Sequence, residues 1–250
     1  MKTLLITLCL ASAPVFAATS LLVGLGDQAT PPYKRGDDRL PDRRPGLAVE
    51  LLQLAAANCD VRLQFKLLPG VRMLKELESS ELDGAALLSY TAERAAYAMF
   101  PMLNGKPVES QRLATLSYVF YVRPDHHLQW HGSILQGLVR KVGTNFGWSI
   151  NHDLDKLGIP VEPANSVEQN FMKLQAGRID AYATHELLGD SYLAIHNDMS
   201  LVKLLPPVIS KAYYLLFSRN HAGRYPVVTS CMWRQIGIQR ERLYQQRMVD

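Results

Sequence analysis

The segment Ser89-Tyr90-Thr91-Ala92-Glu93-Arg94 places an arginine and two hydroxyl side chains just after an apolar run. A guanidinium is a planar fork of N–H donors that fits both oxygens of a carboxylate. Ser89 and Thr91 add short hydroxyl donors, and a helix beginning at Thr91 would turn its anion-attracting end toward the same place. The segment therefore predicts a site for an acidic group on a ligand. The structural alternatives are that Arg94 pairs with Glu93 or another nearby acid, and that Thr91 only caps a helix.

A second candidate cluster is Gly147-Trp148-Ser149, at a predicted turn from a strand into a helix. Ser149 has a hydroxyl that could donate a hydrogen bond to a ligand. Trp148 would make a flat, weakly polar wall, or it is a partly buried packing aromatic. The resemblance described below implies that this cluster forms a second side of a binding site, contributed by a different part of the chain.

The resemblance described below implies three further residues that could contact a ligand. Arg72 follows Pro69-Gly70 at the start of a predicted helix, where it is either a second anion contact or part of a solvated helix face. Tyr33, in a Pro-rich loop, could stack on a ligand or pack in the core. His185 follows the apolar run 179–183, and an ordinary histidine there titrates near pH 6.5, which predicts pH-sensitive binding. Its alternative is a histidine satisfied at the surface or in a hinge.

Strands and helices alternate along the chain, which predicts βαβ units and an α/β fold with mainly parallel sheets. The run Leu21–Leu25 and the alternating run Val61–Leu67 predict strands, and Leu47–Ala57 has one apolar helical face. A second α/β unit lies between two aromatic strands at about 113–122 and 208–217. Further strands are predicted at 85–88, 141–143, 161–162 and 179–183, and helices at 71–79, after Gly147, at 167–176 and from 227 onward.

The composition excludes several classes of function. The 250 residues carry a net charge of only +4, and acidic residues interrupt the basic stretch 39–44, so we expect no nucleic-acid partner. His126, His127 and His131 have no carboxylate nearby at a spacing that would complete a set of metal ligands, so we expect no metal site. Gly24-Leu25-Gly26 lacks the third glycine of a dinucleotide fingerprint. We therefore expect no cofactor.

The N-terminus has the pattern of a secretory signal peptide. Lys2 precedes an apolar run, and small residues surround Ala17, which predicts cleavage of residues 1–17 and a soluble periplasmic protein. The alternative is a membrane anchor, but the run is shorter than the roughly 20 residues that a span needs. Export would leave Cys59 and Cys231, which are either a disulfide or two separate thiols.

Several of these segments together resemble the extracellular solute-binding proteins of family 3, the polar-amino-acid type. The similar segments are 82–94 with Phe100-Pro101, Leu174–Ala181 with its L-x-x-G-x-x-D-A pattern, Gly46–Leu54, and Pro31-Pro32-Tyr33. The resemblance covers nearly all of the mature chain. It implies the type II periplasmic-binding fold, with two α/β lobes joined by two hinge strands and a ligand between them. The implied division is lobe 1 at 18–112 with 213–250, and lobe 2 at 113–212.

The resemblance also implies roles for individual residues. In the family, the arginine at the position of Arg94 grips the carboxylate of the ligand, and an aspartate near the position of His185 pairs with its α-ammonium group. A neutral histidine cannot replace that charge, although Glu186 could if the register shifts by one residue. An acid without an amino group is therefore a credible ligand.

The implied function is a monomeric binding protein that captures a small acidic or amino-acid-like solute for an ABC transporter, and not an enzyme. One alternative is a sensory module that signals to a membrane receptor. The other is a dehydratase or lyase on the same scaffold, with His185, Glu186 or another acid of the cleft as general acid or base.

Overall fold

The computed structural model describes residues 19–35, 45–197 and 200–248. The predicted signal peptide and the basic stretch 39–44 lie outside the described residues. The first part of the chain forms β1 (Thr19–Gly26), α1 (Leu47–Ala57), β2 (Val61–Leu68), α2 (Gly70–Glu78), β3 (Gly84–Ser89), α3 (Ala92–Tyr97), β4 (Ala98–Met99), β5 (Met102–Leu103), β6 (Lys106–Pro107) and a short 3-10 helix (Glu109–Gln111).

The middle of the chain repeats the alternation of strands and helices, and the last part returns to the first. The middle elements are β7 (Ala114–Val122), β8 (Gln129–Trp130), β9 (Leu135–Gln136), β10 (Val142–Asn145), α4 (Ile150–Lys156), β11 (Val161–Ala164), α5 (Val167–Gln175), β12 (Ala181–His185) and α6 (Glu186–Ile195). The last elements are β13 (Val202–Ser218), α7 (Arg219–Arg224) and α8 (Pro226–Met248).

One curved sheet runs through the described residues in the order β11-β10-β12-β7-β13-β3-β1-β2. Its two ends are parallel, as the βαβ pattern predicts, and its centre is antiparallel. Strand β13 pairs with β7 from Val202 to Tyr213 and with β3 from Tyr213 to Phe217. The two α/β ends are the two lobes, and β7 and β13 join them. The residue boundaries 18–112, 113–212 and 213–250 stay a prediction.

Each lobe has its own apolar core. In lobe 1, α1 and α8 cover β1, with Leu21, Leu51 and Ile236 fully buried. In lobe 2, Phe120 and Ile150 belong to one cluster beside α4. Val119 and Phe171 belong to a second cluster with α5, on the opposite face of the sheet. Separate cores let each lobe keep its shape, so that a change in their relative position concentrates at the joining strands.

Some elements differ from the prediction. Strand β13 begins at Val202, ahead of the predicted 208–217, and its register with β7 shifts between Leu204 and Ile209. Pro206 and Pro207 lie within that shift, and proline has no N–H to donate to a ladder, which is why the pattern gave no strand there. Helix α6 was not predicted.

Cys59 and Cys231 form a disulfide, with their α-carbons 5.9 Å apart. The sequence left open whether these cysteines form a disulfide or are two separate thiols, and the structure has the disulfide. The bond ties the C-terminal end of α1 to α8, across a separation of 172 residues. No helix among the described residues is both long enough and apolar enough to cross a bilayer.

Candidate ligand-binding site

A cleft of about 130 Å³ lies where the two lobes face each other across β7 and β13. Sites for drug-sized ligands measure about 300–1,000 Å³, so this cleft suits a smaller solute. Its polar lining comes from both lobes and from the joining strands: Arg94, Ser89, Ser149, His185, Tyr118 and Tyr213, together with Asp27, Gln28, Thr30 and Lys34 from the loop after β1. Its apolar lining includes Met73, Leu74, Leu88, Leu116, Leu188 and Trp148.

Arg94 lies in the first turn of α3 and reaches across the cleft. The hydroxyl of Thr91 caps this helix by accepting a hydrogen bond from the backbone N–H of Arg94 at 3.1 Å, which confirms the predicted N-cap. The guanidinium donates from Nη1 to the carbonyl of Ser89 at 2.8 Å and from Nη2 to the carbonyl of Gly147 at 2.8 Å. Arg94 is only 6% exposed, and its bonds join lobe 1 to lobe 2.

The charge of Arg94 has no counter-ion in the described part of the chain. No carboxylate there lies within 4.0 Å of its guanidinium, so neither Glu93 nor another acid forms the ion pair that was the structural alternative. Its bonds to Ser89 and Gly147 use at most three of its five N–H groups. Because a buried charge is ordinarily paired, the arrangement is suited to receiving an anion.

Ser89 and Ser149 meet beside Arg94, one from each lobe. The Ser89 hydroxyl donates to Ser149 Oγ at 2.8 Å, and the ammonium of Lys211 donates to the same oxygen at 3.1 Å. Lys211 also forms an ion pair with Asp153 of α4. A hydroxyl oxygen has two acceptor positions and one hydrogen, so these two bonds leave Ser149 as a donor. Burial lowers the pKa of Lys211, and the bond to Asp153 opposes that shift.

His185, at the end of β12, is enclosed by aromatic side chains. Its Nε2 lies 2.6 Å from the hydroxyl of Tyr213, and its ring stacks on Trp148 at 4.9 Å and contacts Tyr118 at 4.3 Å. This burial, with a smaller contribution from the charge of Lys211, lowers the pKa of His185 to about 3. The prediction that His185 titrates near pH 6.5 is therefore wrong, and the residue is neutral at physiological pH.

The turn before α4 brings Trp148 and Ser149 to the cleft. Gly147 begins it with a φ of +72°, in the left-handed region that suits glycine. A β-carbon at Gly147 would lie 3.3 Å from Cγ2 of Val71 on the opposite lobe. The turn thus needs glycine both for its backbone conformation and for the close approach of the lobes.

Three predicted contacts lie elsewhere. Arg72 is 65% exposed and donates to Glu76 at 2.8 Å, so it lies on a solvated helix face. Tyr33 packs against the lobe 1 core beside Tyr244. Thr91 serves as the cap of α3 and does not line the cleft.

Glu186 does not supply the negative charge that a neutral His185 lacks. Its carboxylate accepts a hydrogen bond from Lys203 at 2.7 Å, and it is not among the lining residues. A shift of register by one residue therefore does not bring a carboxylate into this position.

The structure adds residues that the sequence analysis missed. Lys34 is almost fully buried and lines the cleft, where its ammonium donates to the carbonyls of Asp27 and Gln28. Tyr118 and Tyr213 come from the two joining strands, which were predicted only as aromatic strands. Among the described residues, no group of three or more His, Cys, Asp or Glu side chains could hold a metal ion.

Solved structures share this fold at low sequence identity. A histidine kinase sensor domain with similarity to periplasmic binding proteins matches with a TM-score of 0.72 and 18% identity, over 92% of this chain and 94% of that chain. The substrate-binding protein of an amino acid ABC transporter matches with a TM-score of 0.69 and 17% identity, over 92% of this chain and 97% of that chain. An ancestral arginine-binding protein bound to glutamine matches with a TM-score of 0.70 and 16% identity, over 91% of this chain and 96% of that chain.

No protein-family model and no curated protein matches the sequence. The likeness is therefore one of fold, as expected when identity is low and coverage nearly complete. The chain has the two-lobed α/β fold of periplasmic binding proteins, as the sequence predicted.

Proposed function

We propose that this protein is exported, binds a small acidic solute between its two lobes and delivers it to an ABC transporter. The observation that carries the proposal is the buried guanidinium of Arg94, which no described carboxylate neutralises. The hydroxyls of Ser89 and Ser149 lie beside it, so an acidic group there would meet donors from both lobes.

Such a ligand would favour the closed arrangement of the lobes. A ligand shifts a conformational equilibrium only through its different affinity for the two states. Contacts to Arg94 and Ser89 in lobe 1 and to Ser149 in lobe 2 exist together only when the lobes are close. We therefore expect binding to compact the protein, as a smaller radius of gyration in small-angle X-ray scattering.

The experiment is a calorimetric titration of the purified protein with small carboxylates, such as 3-phenylpropanoate, 4-methylpentanoate and succinate. We expect at least one to bind and Arg94→Met to weaken it about 30-fold or more, since truncating one partner of a buried charge pair costs about 2–5 kcal/mol. Arg72→Met is the matched control, because it removes an exposed arginine of the same lobe. Equal losses in both variants, or no binding of any carboxylate, would refute the proposal.

A sensory role is the second candidate, and the likeness to a histidine kinase sensor domain favours considering it. Both roles need the same binding step. Uptake of a labelled ligand by cells with and without the gene separates them: a transporter component is needed for uptake, whereas a sensor is needed only for the response to the ligand.

We expect binding without turnover. His185 and Glu186 are poorly suited to general acid or base catalysis, because burial lowers the pKa of His185 and Glu186 is engaged with Lys203 outside the cleft. Recovery of unchanged ligand after long incubation would agree with this, and a new product would favour an enzyme.

A further inference from the structure

The charged side chains that line the cleft among the described residues are Arg94, Lys34 and Asp27. At the Arg94 end, a buried guanidinium lies beside two hydroxyls, and Lys211 adds a second cation bonded to Ser149. Asp153 neutralises Lys211, but no described carboxylate neutralises Arg94. This end is suited to one carboxylate.

A cationic group on the ligand would find little to bind. Among the described residues that line the cleft, only Asp27 has a carboxylate, and the ammonium of Lys34 lies 3.3 Å from the backbone carbonyl of Asp27. An ammonium group of a ligand near Asp27 would lie in the field of the Lys34 ammonium, and like charges brought together weaken binding.

The position of His185 is neutral as well. Its ring lies between Trp148 and the two tyrosines of the joining strands, and its Nε2 is engaged with Tyr213 at 2.6 Å. Burial keeps it uncharged well below neutral pH. This position therefore offers no countercharge for an ammonium group on a ligand.

The rest of the lining is largely apolar, apart from Gln28 and Thr30 in the loop after β1. Met73, Leu74 and Leu88 come from lobe 1, Leu188 and Trp148 from lobe 2, and Leu116 from a joining strand. Burying an apolar tail against such walls contributes about 25 cal/mol per Å² of area. A cleft of about 130 Å³ holds a tail of a few carbons or one small ring.

We propose that the ligand is a small monocarboxylate with an apolar or aromatic tail and no ammonium group, so that the cleft discriminates against the corresponding α-amino acids. This rests on the proposed binding function and names the class of ligand for the same site. The carboxylate lies on Arg94 between Ser89 and Ser149, and the tail lies along Trp148 and the leucine side chains.

Matched pairs of ligands test this directly in the unmodified protein. We would titrate 3-phenylpropanoate against L-phenylalanine, and 4-methylpentanoate against L-leucine, because the members of each pair share the carboxylate and the tail. We expect the ligand without the ammonium group to bind at least tenfold more tightly in one pair, a difference of about 1.4 kcal/mol. Equal or tighter binding of the amino acids overturns the inference.

The outcomes also separate this inference from the proposed function. If succinate or an amino acid binds through Arg94 while neither tailed monocarboxylate does, the binding function stands and the ligand class is wrong. If no carboxylate binds, the function itself fails. If L-phenylalanine binds and Asp27→Asn abolishes only that binding, Asp27 supplies the ammonium contact and the inference is again wrong.

A substitution at His185 supplies a second test. His185→Asp places a carboxylate beside the cleft and should improve L-phenylalanine relative to 3-phenylpropanoate by about tenfold. His196→Asp is the matched control, because it makes the same substitution at the other end of α6, outside the cleft lining. If the two variants shift the preference equally, or if His185→Asp folds and shifts nothing, the neutral position does not set the ligand class.

Discussion

Replacing His185 with glutamine should make the protein less sensitive to acid. The ring is enclosed by Tyr118, Trp148 and Tyr213, and Lys211 is the nearby cation, so the folded state holds the imidazole neutral with a pKa of about 3. In the unfolded chain the same group titrates near 6.5. Between these values the unfolded state binds the extra proton, so stability falls as the pH falls.

The magnitude follows from the two pKa values. Holding His185 neutral lowers the free energy of unfolding by only about 0.2 kcal/mol at pH 7 but by about 2 kcal/mol at pH 5. One pKa unit corresponds to about 1.4 kcal/mol. Glutamine has no charge at either pH. The drop in unfolding free energy between pH 7 and pH 5 should therefore be about 2 kcal/mol larger in the wild type than in His185→Gln.

Urea unfolding at the two pH values measures this difference. The comparison requires that the unfolding free energy depend on urea concentration with the same slope in both proteins. The other shifted histidine, His221, is present in both proteins and cancels. In thermal melts the extra loss corresponds to about 4–8 °C for a chain of this size. Identical pH dependence in wild type and variant would show that His185 is not held neutral, and would remove one support for the inferred ligand class.

Three further predictions concern the frame of the cleft. Replacing Cys59 and Cys231 with serine should lower stability by about 2–5 kcal/mol, since a bond across 172 residues restricts the unfolded chain; calorimetry showing no change in Tm would contradict this. Lys211→Met or Asp153→Asn should each cost about 2–3 kcal/mol in urea unfolding, because these groups are 13% and 17% exposed and each would lose its partner. Removing both should cost less than the sum of the single changes, and additive losses would argue against a coupled pair. Gly147→Ala, at a φ of +72° and against Val71, should weaken ligand binding by about tenfold through a conformational cost of about 1–2 kcal/mol, and unchanged affinity in calorimetry would count against tight closure there.

The alternating elements could be predicted because local patterns determine them. Leu47–Ala57 forms the helix that its apolar face indicates, and Val61–Leu68 forms the strand that its alternation indicates. The start of β13 could not be predicted in this way, because prolines do not indicate a strand. There the long pairing with β7 overrides the local preference.

The site could be predicted in part. Ser89, Arg94 and Ser149 have chemistry that is visible in the sequence, and the structure brings them together. The neutrality of His185 could not be predicted, because it depends on Tyr118 and Tyr213 from strands that are distant along the chain. The burial of Lys34 in a polar, Pro-rich loop is likewise a consequence of the tertiary fold alone.

The central claim is that Arg94 receives the acidic group of a ligand between the lobes. A crystal structure of the protein with the tightest-binding carboxylate tests it most directly. We predict both carboxylate oxygens within hydrogen-bonding distance of Arg94, with Ser149 donating to one of them and the tail against Trp148. A carboxylate bound away from Arg94, or a ligand outside the cleft, would contradict the claim.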